Sequence, residues 1–120
     1  MKPTMQSTLQ SVGVSPHYCG YRYFILAVTM AAEKPWRLQN IRREIYIPIA
    51  EACHASSATV EKNLRTIRDV MIRNGALTLL SKMTGSSWPG RPPYPREIIE
   101  AFAEYFSEEL IGADQNQSSF

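Results

Sequence analysis

The sequence predicts an all-α domain of about six helices built around a helix-turn-helix, with no strands. Three observations carry that prediction. Apolar residues recur at intervals of three and four along most of the chain, the period of a helix rather than of a strand. Glycines, prolines and small polar residues punctuate the ends of these stretches. Two of the stretches, together spanning about residues 38–74, are separated only by a short polar turn.

The elements follow in order. Thr4 caps a short first helix with Leu9 and Val12 inward and Gly13 as its stop. Ser15-Pro16 reads as an N-cap followed by proline at the first helical position, where its missing N–H costs nothing. The second helix then runs to about Glu33, with Tyr23, Phe24, Ala27, Val28 and Ala31 recurring on one side and Lys34-Pro35 ending it. A third, from Leu38 to Cys53, aligns Leu38, Ile41, Ile45, Ile49 and Cys53. Pro48 inside it removes a bond to the Glu44 carbonyl and predicts a kink or break. After the turn Cys53–Ser57, the fourth helix spans Ala58 to about Asn74. Ser56 or Ser57 caps it, Val60, Leu64, Ile67 and Met71 face inward, and Gly75 stops it. A fifth, Ala76–Met83, turns Leu77 and Leu80 inward. The loop Gly85–Pro93 follows, and a sixth helix from about Pro95 packs Ile98, Ile99, Phe102 and Phe106.

At 120 residues and 44% hydrophobic, the chain suits a single domain, read as 1–112 with a frayed polar tail over 113–120. Leu, Ile, Val and Phe number 27, which argues against wholesale disorder. No apolar run has membrane-spanning length and the start lacks a signal-like stretch, so a cytoplasmic protein with no membrane partner is expected. The two cysteines, Cys19 and Cys53, are too few for a disulfide scaffold or a four-ligand zinc site of ordinary spacing.

Charge is divided along the chain. Residues 1–96 hold all 13 Lys and Arg against five acids, a net +8, whereas residues 97–120 hold six acids and no base. A basic body suits a polyanion, because clustered cations release condensed counterions when they meet phosphates. The fourth helix has the chemistry of a DNA-reading helix. From its outward side Lys62 and Arg65 can donate to guanine, Asn63 can pair with adenine, Glu61 can accept from cytosine, and the Thr59 methyl can meet a thymine methyl. Ser56 and Ser57 at its start, Arg68 further along, and Arg42 and Arg43 on the bracing helix are the phosphate candidates.

Other constellations read as structural. His17 with Cys19 and Cys53 with His54 lack an orienting third group, so no enzyme, cofactor or metal is expected. Tyr21, Tyr23 and Tyr46 read as core-edge aromatics, and Trp36 and Trp88 as side chains packed over helix ends. The acidic last helix reads as a solvated face. Its functional alternative is a dock for RNA polymerase or for a second subunit's basic surface.

In order and at matching spacing, several segments resemble one family. Val12-Gly13-Val14 is similar to its "IGV" helix end, Gly20-Tyr21-Arg22-Tyr23-Phe24 to "GYxYL", and Ile45-Tyr46 with Ile49-Ala50 to "LYPxIA". Val60-Glu61-Lys62-Asn63-Leu64-Arg65 is similar to "VERAIR", Arg73-Asn74-Gly75 to "SRG", and Pro93 to Ile99 to "PTNSEFI". Together these resemble the C-terminal DNA-binding effector domain of the sporulation stage-zero protein A response regulators. The resemblance implies a six-helix, winged-helix-like effector fold without strands. It also implies a sequence-specific transcription regulator whose partner is double-stranded DNA, bound as a homodimer or at tandem sites. Three positions depart from the family: Thr59 and Lys62 stand where it has arginine, and Ile47 where it has proline. Lys62 lacks the planar fork that reads guanine bidentately. No counterpart of the family's phospho-accepting receiver lies in these residues; if the chain is not an excised fragment, its dimerisation and control are expected to work differently. The alternative function is a receiver-less protein-interaction module on the same scaffold.

Overall fold

The computed structural model describes residues 3–88 and 91–112, and the expected tail over 113–120 lies outside that range. Among the described residues six α-helices form: α1 Met5–Ser11, α2 Tyr21–Glu33, α3 Ile47–Ala52, α4 Ser57–Arg73, α5 Ala76–Thr84 and α6 Pro95–Tyr105. A 3-10 segment over Pro35–Asn40 and a π segment over Arg42–Tyr46 precede α3, and a second π segment, Glu108–Gly112, follows α6. Among the described residues no strand occurs, and no helix is long and apolar enough to cross a membrane.

The core centres on the α2–α6 pair. Phe102 and Phe106 are fully buried, and Phe102 meets Phe24 of α2 edge-to-face at 5.2 Å, the arrangement that ring quadrupoles favour. The α2–α6 pairing is the most extensive in the molecule, and α4 packs across both helices. Glu109 closes the two ends of the domain together, accepting the Met5 N–H at the start of α1 at 3.0 Å.

Local signals set most boundaries. Thr4 accepts the Ser7 N–H and Gly13 takes φ 80° after α1. Ser56 accepts the Thr59 N–H at 3.1 Å, and Gly75, at φ 85°, supplies the left-handed turn that ends α4.

Four expectations are corrected. The second helix does not begin at Pro16 but at Tyr21; residues 15–21 form two successive turns. Gly20 is pressed so closely on α4 that a Cβ there would stand 2.7 Å from the Asn63 carbonyl oxygen and 2.8 Å from Ile67 Cγ1. That contact between segments decides where α2 starts. The expected helix over 38–53 is instead three windings in series. Pro48 offers no N–H to the Glu44 carbonyl and its ring crowds that oxygen. The wider π turn makes room, and Ile47 donates five residues back to the Arg42 carbonyl. Leu77 is 37% exposed; α5 buries Ala76 and Leu80, and successive residues on a helix diverge by about 100°. Trp36 covers no helix end but is 53% exposed on the 3-10 segment, whereas Trp88 does pack against the core.

Candidate nucleic-acid interface

The turn between α3 and α4 closes by hydrogen bonds rather than by glycine. Ala55 donates to the Ala50 carbonyl at 2.8 Å and His54 to that of Glu51 at 3.4 Å, with His54 at φ 56° in the left-handed region. This two-bond closure satisfies the last carbonyls of α3 and sets the angle at which α4 departs.

On α4, Val60, Leu64, Ile67, Val70 and Met71 are buried, which turns Thr59, Lys62, Arg65, Thr66, Asp69 and Arg73 outward. Lys62 and Arg65 are exposed and make no ion pair or side-chain hydrogen bond among the described residues. The same holds for the exposed side chains of Arg42 and Arg43 on the π segment. Four cations of the helix-turn-helix therefore keep their donors uncommitted.

The remaining candidates are differently placed. The Ser56 hydroxyl caps α4 and also donates to the Thr59 hydroxyl at 2.9 Å, so both are engaged locally. Ser57 is half-buried. Asn63 lies on the flank facing α2, its amide donating to the Thr59 carbonyl of its own helix at 2.9 Å. Arg68 is half-buried on the other flank. It lines a small cleft with Phe24, Met71, Pro95 and Ile98, and its Nε pairs with Asp69 at 3.0 Å. Glu61 is half-buried beside Tyr46. Burial pushes the Tyr46 hydroxyl up to about 12, the Glu61 carboxylate adding to the rise and Arg65 opposing it. Tyr46, Glu61 and Arg65 thus share one electrostatic neighbourhood at the joint of the two helices.

The family model for the C-terminal domain of the sporulation initiation factor Spo0A matches residues 5–106. The chain belongs to that family. The match runs from the first residue of α1 to the residue that caps α6, so it takes in every helix of the core. Spo0A C-terminal domains are DNA-binding regulatory effectors and not an enzyme family. Cys19 is exposed and Cys53 half-buried, both as free thiols, and among the described residues no three His, Cys, Asp or Glu side chains converge on a metal-sized site.

One group of side chains near this interface was not among the candidate contacts read from the sequence. Arg91, Tyr94 and Arg96 are exposed where the loop enters α6, and Arg96 donates to the Leu38 carbonyl at 2.9 Å. The proline-rich sequence signals a loop there, but nothing in it tells which neighbour that loop meets.

Proposed function

We propose that this Spo0A-type domain is a sequence-specific transcription regulator that inserts α4 into the major groove of double-stranded DNA. The uncommitted, outward placement of Lys62 and Arg65 carries this reading. On it, Lys62 and Arg65 read base edges, Thr59 offers its methyl, and Glu61, held beside Tyr46, accepts from a cytosine amino group. Asn63 plays a smaller part from the flank. Arg42 and Arg43 hold phosphates on the brace side, with Arg68 and the Ser56–Ser57 turn adding weaker contacts. One short helix gives limited affinity, so binding is as a homodimer or at tandem sites about one helical turn apart. RNA polymerase is the downstream partner, and the cytoplasm the place of action.

Fluorescence anisotropy on duplexes selected from a random library tests the reading. Affinity falls steeply with salt. Arg42→Ala and Arg43→Ala weaken all sequences alike, while Lys62→Ala relaxes the preference at one position by about 1–3 kcal/mol. A flat salt response, or selection that enriches no sequence, would overturn it.

A further inference from the structure

We propose that the corner formed by Arg91, Tyr94 and Arg96 at the start of α6 is a second DNA-backbone contact. It grips phosphates on the strand that borders the groove beside Arg68. The inference rests on the groove-inserted reading of α4 and extends its footprint to a part of the chain outside the helix-turn-helix.

The corner is tied to both halves of that unit. α6 packs on α4, and Arg68 of α4 lines one small cleft with Pro95 and Ile98, which places the start of α6 on the flank of α4. The Arg96 Nε donates to the Leu38 carbonyl at 2.9 Å, which fixes the same turn to the segment leading into the brace. The major groove is about 12 Å wide and a helix with its side chains about 10–12 Å across, so an inserted helix fills it. Whatever packs on the flank of such a helix therefore stands over the groove wall, where the phosphates are.

The side chains there are built to present donors. Glu97 accepts the Tyr94 N–H at 2.8 Å, closing the first turn of α6. The same carboxylate takes Arg91 in a two-pronged pair at 2.8 and 3.0 Å, which holds Glu97 below the usual carboxylate range. The Arg91 guanidinium lies 4.6 Å above the Tyr94 ring, and its Nη1 also reaches the Pro92 carbonyl at 3.2 Å. Its fork is thus fixed from three sides, leaving Nε–H and one Nη2–H without a partner among the described residues. Arg96 keeps its Nη groups almost unpaired, since Glu100 approaches only to 4.0 Å. Tyr94 is 59% exposed, far more than an aromatic ring needs for packing alone, and its hydroxyl adds a neutral phosphate donor.

The test is a salt titration of anisotropy on a mixed-sequence duplex of about two helical turns, using the whole chain with Arg91→Gln, Arg96→Gln and Arg96→Lys. Each glutamine variant is expected to bind all sequences more weakly. Each also loses about one phosphate from the salt slope, so a fourfold rise in salt costs it about threefold less affinity than it costs the wild type. Arg96→Lys keeps its charge and the wild-type slope. Arg91→Gln leaves the Glu97 cap in place, which keeps the test valid if Arg96→Gln fails to fold. Wild-type binding with an unchanged slope in folded Arg91→Gln overturns the corner and leaves the groove reading standing. A wild-type chain with no salt-dependent binding overturns both.

Discussion

Tyr46 shows how one side chain connects packing to recognition. It comes from the π segment, is 7% exposed, and lies beside Glu61 and Arg65 of α4. Its hydroxyl ionises near 12 rather than 10.0 because burial and the Glu61 charge both disfavour the phenolate. The folded state therefore keeps a proton between pH 10 and 12 that the unfolded chain releases, so this contribution to stability is full below 10 and disappears as pH rises through 12. A tyrosinate absorbance titration is expected to show a step near 12 that Tyr46→Phe lacks, and the variant's stability to fall less steeply across that window. Pattern alone identifies Tyr46 as a core-edge aromatic; its neighbours on α4 are separated from it by at least 15 positions and carry no local signal. Gly20 and Asn63 teach the same lesson. Asn63 lies in the right helix to read bases, but Gly20 presses on its backbone carbonyl and its half-buried side chain is bonded to the Thr59 carbonyl.

At the scale of elements, the ends were legible wherever capping chemistry is local. Ser56 satisfies the Thr59 N–H within four residues, and Ser56→Ala is expected to lower stability by about 1 kcal/mol in a denaturant melt. Replacing the cap by glycine costs only a few tenths of a kcal/mol, since glycine leaves the helix start solvated. The brace was legible in outline and not in detail. Its apolar stripe and Pro48 both pointed to a broken helix, and Leu38, Ile45 and Ile49 are indeed buried. The π winding makes room for Pro48, and the 3-10 segment packs on α2 while the π segment meets both α2 and α4. The turn before α4 closes on His54 at φ 56°, a conformation that costs a non-glycine residue roughly 1–2 kcal/mol and that no residue pattern marks in advance.

Across the whole molecule, the acidic end and the basic body are not independent halves. Glu109 holds the start of α1, Glu97 holds Arg91, and α6 packs along α2 at the centre of the core, so the acidic end is built into the assembly. Phe102 sits at that centre against Phe24 and Phe106, and Phe102→Ala is expected to cost about 3–5 kcal/mol, measured by thermal or chemical unfolding. Arg42, Arg43, Lys62 and Arg65 of the helix-turn-helix make no ion pair among the described residues, whereas Arg37 pairs with Glu33 and Arg91 with Glu97.

By itself the sequence determined the helical class, the number and order of the helices, the caps on α1 and α4, and the stripe that turns Lys62 and Arg65 outward. Each of these follows from hydrogen bonds and periodicities that act within a few residues. Only the tertiary structure decided where α2 begins, how the brace winds, which candidates lie on the flanks of α4, and that Arg91, Tyr94 and Arg96 stand beside it. Those outcomes depend on close contact between segments far apart in the chain, and such contacts leave no mark on the residues nearest them.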